Sequence, residues 1–105
     1  MKRAAPKPSE VWEDYLERLR GEAGSPATRE IAEHVEKMSG GIFLPERVEA
    51  LLAAKGDPRR IAGDAQLVVA ALTDLQAQRG GYRLNDREQA ILRLRTLELL
   101  DRRRP

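Results

Sequence analysis

The sequence predicts an all-α fold, and three observations support this fold class. Residues that favour helices, chiefly Ala, Leu, Glu and Arg, are abundant, whereas aromatic residues make up only 4% of the chain. β-branched residues are few and never alternate with polar ones, so we expect no strand of useful length. Glycine and proline divide the chain into five segments that carry apolar residues at helical spacing. At 105 residues, the chain can form one domain with its own core.

Several classes of function are disfavoured by what the sequence lacks. It contains no cysteine, and therefore no disulfide, thiolate nucleophile or zinc-binding cysteine pair. It also contains neither a glycine-rich phosphate loop nor a G-x-S-x-G motif, so we expect no enzyme activity, no cofactor and no metal. The basic N-terminus lacks the apolar core of a signal peptide, and the longest apolar run, residues 67–72, is far below the ~20 residues that cross a bilayer. A soluble, cytoplasmic protein without a membrane partner is expected.

The N-terminal part of the chain predicts an arm and a first helix. Residues 1–8 are basic and contain two prolines, so we expect a flexible arm that either grips a phosphate backbone or simply frays. Ser9 is a good N-cap for a first helix over about residues 9–23, which has acidic residues in its first turns. Trp12 and Tyr15 share the apolar face of this helix and are expected to anchor the core.

Two short helices follow, over about residues 28–38 and 45–55. The apolar face of the first is formed by Ile31, Ala32, Val35 and Met38. Gly40 and Gly41 can adopt positive φ, which allows the chain to leave a helix and turn sharply. Pro45 suits the first turn of the next helix. Two short helices across a glycine corner are the sequence form of a helix-turn-helix.

The fourth helix is predicted over about residues 64–79, with Asp64 as its N-cap. Asp57 suits an N-cap and Pro58 suits the first position of a helix. We therefore expect a short helical turn here, before the fourth helix and separate from it. The fourth helix is apolar on nearly all sides, which indicates a position at the centre of the domain.

The last helix, within residues 82–103, begins with a predicted Asn85–Glu88 capping box and has a wide apolar arc. One helix that packs on one core needs a narrower stripe, and exposed apolar surface usually indicates a partner. We therefore predict that this helix makes the protein a homodimer or binds another protein. The alternative is that it folds back and is covered by the first and fourth helices. The predicted dimer-interface residues are Leu84, Ile91, Leu92, Arg95, Leu99 and Leu100.

The segment around the glycine corner carries a recurring pattern. Its entry reads G-S-P-x-x-R-E-I-A and is formed by Gly24, Ser25, Pro26, Arg29, Glu30, Ile31 and Ala32. The later positions of the pattern are occupied by Gly41, Ile42, Leu51, Leu52 and Gly56. Over roughly residues 10–76 the chain thus resembles the XRE family, the Cro/repressor-like helix-turn-helix regulators, particularly the actinobacterial branch. With the last helix added, the expected architecture is a five-helix, lambda-repressor-like helix-turn-helix domain over residues 9–79 with a C-terminal dimerisation helix.

The resemblance also implies a surface that binds duplex DNA. The third helix would be the recognition helix, with its first residues at base edges in the major groove, and the second helix would meet phosphates at its N-terminus. The implied DNA-binding residues are Ser25, Thr28, Arg29, Phe43, Glu46, Arg47, Ala50, Arg59 and Arg60. Of these, Arg59 and Arg60 would lie against the sugar–phosphate backbone. The residue types leave open an alternative in which Phe43 and Leu44 are core residues at the entry to the helix.

The charge pattern leaves two functions open. From residue 25 to residue 55, four cations face five anions, although DNA-binding surfaces gain affinity from contacts of Lys and Arg with phosphate. The leading interpretation is a sequence-specific transcription regulator that binds DNA as a homodimer. The alternative is a helical protein-interaction module that does not bind DNA, such as a co-regulator, an antitoxin-like partner or a phage-encoded modulator. The only histidine, His34, is interpreted as a residue at the edge of an apolar face.

Overall fold

A computed structural model of the chain describes residues 10–53, 58–80 and 83–102, and the side chains within these ranges except those at 58–61 and 102. The described residues form five helices and no strand, which confirms the all-α prediction. The helices are α1 (Trp12–Glu22), α2 (Thr28–Ser39), α3 (Pro45–Leu52), α4 (Pro58–Gly80) and α5 (Asp86–Arg102). None of them combines the length and the apolar character needed to cross a membrane over the residues described.

The longest helix, α4, packs against each of the other four helices, as its apolar circumference predicts. The side chains that it buries are Ala65, Val68, Val69, Ala71, Leu72, Thr73 and Ala77. The predicted division into a short turn and a separate helix is wrong, because α4 is continuous from Pro58. Proline fits the first turn, where no backbone N–H is needed within the helix. Asp64 therefore lies inside α4 and is not an N-cap; its carboxylate instead pairs with Arg47.

Helix α1 supplies the aromatic part of the core. Trp12 and Tyr15 are fully buried, as predicted, and their ring centroids lie 6.4 Å apart. The Tyr15 side chain is hydrogen-bonded to Thr96, which ties α1 to α5, and burial raises the pKa of the phenol above its ordinary value. The helix begins at Trp12 with Val11 as its N-cap, so it starts later than predicted, and Ser9 lies outside the described residues.

The corner between α1 and α2 is held by backbone geometry and packing. Gly24 and Ser25 both have positive φ, 95° and 53°. The Ser25 N–H donates to the carbonyl of Arg20 at 2.8 Å, and Arg20 Nε donates to the carbonyl of Pro26 at 2.9 Å. A side chain at position 24 would collide with the guanidinium of Arg79. We call residues 24–26 the first corner.

The corner between α2 and α3 has a left-handed residue too, but little packing around it. Gly40 has a φ of 78° and donates its N–H to the carbonyl of Glu36 at 2.8 Å, which confirms the predicted glycine corner. A Cβ at either Gly40 or Gly41 would meet nothing within 4 Å. We call residues 40–44 the second corner. Helix α3 then ends at Leu52, before the predicted end of the third helix.

Helix α5 begins with the predicted capping box, in which the Asn85 N–H donates to Glu88 Oε1 at 3.0 Å and the Glu88 N–H donates to Asn85 Oδ1 at 2.8 Å. The helix packs on α4 and α1. Leu92, Leu99 and Leu100 are buried in this packing, so these three side chains are not available for the predicted dimer interface. These three residues fit the predicted alternative, in which the last helix folds back and is covered by the first and fourth helices.

Candidate functional site

The surface formed by α2, the second corner and α3 contains most of the residues predicted to bind DNA. Exposed side chains on this surface and at its edge are Ser25, Arg29, Glu46 and Arg47. Thr28 and Ala50 are half-buried, and Phe43 is buried. The side chains of Arg59 and Arg60 lie outside the described residues, although their backbone belongs to the first turn of α4. The structure thus brings these residues close together but gives them different environments.

The backbone conformation of residues 42–44 determines which of their side chains point inward. It is not helical, and Leu44 has extended backbone angles, so successive side chains alternate in direction. Phe43 is only 2% exposed, and its N–H donates to Glu36 Oε2 at 2.8 Å. A thymine methyl could not reach this ring, and the alternative of Phe43 as a core residue is confirmed. For Leu44 that alternative is wrong, because its side chain points outward and is 53% exposed.

Arg47, the one cation of α3, is held by two neighbours. Its Nε donates to Asp64 Oδ2 at 3.0 Å, and its Nη2 donates to Asp64 Oδ1. The guanidinium also lies over the Phe43 ring, 4.5 Å from the ring centroid. The side chain remains about half exposed, but its charge and its planar donor edge are directed at α4. Arg47 is therefore not free to form the bidentate contact with guanine that the resemblance implies.

A carboxylate lies beside the start of α2, where the resemblance implies a phosphate. The Thr28 hydroxyl donates to Glu49 Oε2 across the gap between α2 and α3 at 3.4 Å. The N-cap of α2 is Ala27, which offers no capping side chain, so Glu49 also contributes the negative charge that a helix N-terminus favours. A phosphate at this position would be repelled by Glu49. Arg29 is exposed close by and has no ion-pair partner among the described residues.

The rest of this surface is acidic and partly apolar. Residues 25–52 contain three cations and five anions, and one of the cations is the paired Arg47. The exposed apolar side chains are Ile42 at 82%, Leu44 at 53% and Met38 at 48%. Met38 lines a groove between α4 and α5, so we call Ile42, Leu44, Glu46 and Glu49 together the corner surface. Sequence reasoning missed it, because three consecutive apolar residues at 42–44 do not show which of their side chains face outward.

A concave feature, separate from the corner surface, lies between α4 and α5. It is an open groove with a cavity volume of about 210 Å³, lined by apolar residues such as Leu67, Ala70 and Leu92. At its edge Asp74 pairs with Arg83 and with His34, whose Nε2 lies 2.8 Å from Asp74 Oδ2. His34 is thus half-buried and links α2 to α4, in agreement with its interpretation as an edge residue. In the part of the chain that the structure describes, no group of three or more His, Asp and Glu residues is placed to hold a metal ion.

Comparisons with known proteins identify no relative. No protein-family model matches the chain, and no curated protein or solved structure matches it either. The resemblance to the XRE family therefore remains a prediction that rests on the pattern of residues alone.

Proposed function

We propose that this chain is a helical protein-interaction module, and that the corner surface binds a basic, amphipathic segment of a protein partner. The observation that carries the proposal is the arrangement of the second corner. Ile42 and Leu44 point outward on either side of the buried Phe43, and the exposed carboxylates of Glu46 and Glu49 follow on α3.

The composition of this surface suits a protein partner. Burial of an exposed Leu or Ile side chain stabilises a complex by roughly 1.5–3 kcal/mol, so Ile42 and Leu44 can provide much of the affinity. Carboxylates at the edge of an apolar patch attract a basic partner and orient it as it approaches. The same carboxylates repel a polyanion, and Arg47 cannot offset them because Asp64 already neutralises its charge.

Selection from a random peptide library on the immobilised protein tests the proposal. Peptides that bind should be rich in Lys and Arg interspersed with apolar residues, and they should not bind an Ile42→Ser, Leu44→Ser variant. A Val11→Ser variant is the matched control, because Val11 is exposed at 42% but is the N-cap of α1 and not part of the second corner. The proposal fails if no peptide discriminates between the wild type and the double variant, or if the enriched peptides are acidic.

The second candidate is a DNA-binding transcription regulator of the helix-turn-helix type, which the resemblance implies. The observation that favours it is Arg29, an exposed arginine in the first turn of α2 without an ion-pair partner among the described residues. Fluorescence anisotropy with a generic duplex at low salt separates the two candidates. A DNA-binding domain should bind with salt-sensitive dissociation constants near ~10⁻⁶–10⁻⁴ M, and Arg29→Ala should reduce the slope of log K against log salt by about one. We expect no such binding; if it occurs, the second candidate replaces the first.

A further inference from the structure

Helix α5 has a second stripe on the side that faces away from the core. At about 100° per residue, seven positions fall within about 60° of Leu94 around the helix. They are Arg87, Ala90, Ile91, Leu94, Leu97, Glu98 and Asp101. All seven side chains are exposed, with Leu94 at 64%, whereas Leu92, Thr96 and Leu99 are buried on the opposite side. The wide apolar arc of this helix therefore consists of two stripes, and only one of them is covered by the chain itself.

Two of the three charged residues on the outer stripe lie symmetrically about Leu94, and the third, Glu98, pairs with Arg95 of the same helix at 3.7 Å. Arg87 lies seven residues before Leu94 and Asp101 lies seven residues after it, so both fall close to the centre line of the stripe. Neither Arg87 nor Asp101 has an ion-pair partner among the described residues. The outer stripe thus has an apolar middle, a cation at its N-terminal end and an anion at its C-terminal end.

We propose that the outer stripe of α5 binds the same stripe of a second copy of the chain, in antiparallel orientation about Leu94. A two-fold axis at Leu94 places this leucine against its own copy and brings Ile91 to the level of Leu97 of the other copy. The same axis sets Arg87 opposite Asp101 at both ends, roughly 10 Å from the centre. A parallel pair would instead place Arg87 against Arg87 and Asp101 against Asp101, which is repulsive. Charge complementarity thus favours a second copy of the chain as the partner and an antiparallel orientation of the two helices.

The interface differs from the one that the sequence predicts. Of the predicted residues, only Ile91 belongs to the outer stripe. Arg95 lies about 100° from Leu94, outside the stripe, Leu84 precedes α5 and packs against the core, and the three buried leucines do not take part. The outer stripe is also separate from the corner surface, because it lies on the side of α5 opposite the buried Leu92, Thr96 and Leu99, whereas the corner surface lies on the second corner and α3. Loss of the dimer would therefore leave binding at the corner surface unchanged, and the reverse also holds.

Sedimentation equilibrium of the full chain over a range of concentrations tests the proposal. We expect a reversible monomer–dimer equilibrium, and a decrease of the association constant by at least about a hundredfold for Leu94→Glu, since the central residue of an interface contributes most. Leu94 is exposed in the monomer, so far-ultraviolet circular dichroism should show that this variant keeps its helices. Arg29→Asp is the control for a change of charge on another helix, and it should dimerise like the wild type.

A charge exchange tests the direction of the helices. Arg87→Asp alone and Asp101→Arg alone should each weaken the dimer on the order of tenfold, because every dimer contains two copies of the pair. The double variant, Arg87→Asp with Asp101→Arg, should recover the wild-type association constant. A wild type that stays monomeric at all concentrations, or a Leu94→Glu variant that dimerises normally, refutes the interface. Single charge variants that leave the constant unchanged refute the antiparallel arrangement.

Discussion

The two glycine corners look alike in the sequence and differ in the structure. Each lies between two amphipathic segments and contains a glycine with positive φ, 95° at Gly24 and 78° at Gly40. At the first corner, Arg79 of α4 packs against Gly24, and Pro26 is buried. At the second corner nothing approaches the glycines, and Ile42 is almost fully exposed. The first corner is therefore part of the packed structure, whereas the second is a surface that can accept a partner.

This difference shows what a glycine signal does and does not predict. Positive φ at a helix end follows from the local chain, because glycine adopts it without steric cost. Whether another element covers that end depends on the length and direction of a distant helix. In this fold, Arg79 near the end of α4 reaches the glycine of the first corner, whereas no other helix comes within 4 Å of the Cβ positions of the two glycines at the second.

The largest effect that we expect from changes at the glycines comes from Gly24→Ala. The added Cβ is strained at a φ of 95°, and the exposed end of the Arg79 side chain must move aside for it, so the free energy of unfolding should fall by at least about 1 kcal/mol. Gly40→Ala should cost about 1 kcal/mol, because it meets the left-handed backbone strain without a collision. Gly41→Ala is the matched control, since its backbone is outside the left-handed region, and it should change stability by less than about 0.5 kcal/mol. Urea unfolding of the three variants measures the series; a loss at Gly24 no larger than that at Gly41 would contradict the left-handed backbone of the first corner.

A smaller effect is expected from Tyr15→Phe, a change in the core beneath α1. At neutral pH the variant should lose about 1 kcal/mol, because the hydrogen bond to Thr96 is removed. Burial raises the pKa of Tyr15 in the folded protein above its ordinary value of 10.0, so its contribution is complete below pH 10.0 and is lost as the pH rises beyond it. Thermal unfolding between neutral pH and strongly alkaline pH should therefore show a steeper loss for the wild type than for the variant. Parallel curves for the two proteins would show that the phenol is not protected by burial.

The sequence predicts the helices of this fold better than it predicts their partners. Helical spacing, the Asn85–Glu88 capping box and the glycine corners all depend on neighbouring residues, and each of them appears in the structure. The start of α4 was predicted incorrectly because Pro58 and Asp64 are both start signals, and local sequence does not rank them. Only the packing of α3 on α4 shows that Asp64 pairs with Arg47.

The candidate site was harder to predict for the same reason. Periodicity identifies an apolar arc on α5 but does not show which half of it faces the core. Likewise, Phe43 and Leu44 have similar hydropathy and adjacent positions, and only the packed structure shows that one is buried while the other is exposed. The resemblance to DNA-binding regulators places Arg47 at a base edge. In the structure Arg47 is instead hydrogen-bonded to Asp64. Because Asp64 is distant in sequence, local patterns could not predict this ion pair.

A still smaller effect is expected at the ion pair beside the second corner. Asp64→Asn should lower the free energy of unfolding by about 0.5 kcal/mol, because surface ion pairs contribute little and the Arg47 side chain is about half exposed. The same change frees the guanidinium and removes one negative charge, so binding of basic peptides to the corner surface should weaken. The control is Glu98→Gln, which removes a carboxylate from an exposed pair on α5 and should leave peptide binding unchanged. Chemical unfolding and peptide titration measure the two effects, and unchanged peptide affinity for Asp64→Asn would remove Asp64 and Arg47 from the electrostatics of the corner surface.

The smallest effect on stability is expected at the centre of the second corner. Ile42 is 82% exposed, so Ile42→Ser removes almost no buried apolar area and should change the free energy of unfolding by less than about 0.5 kcal/mol. Phe43→Ser, one residue away, removes a buried ring and should cost about 3 kcal/mol or more. The contrast between these neighbours is the sharpest test of the alternation along residues 42–44, because a shift of the segment by one residue would exchange their roles. If Ile42→Ser proves as destabilising as Phe43→Ser, the second corner is packed like the first, and the corner surface has no exposed centre with which to bind a partner.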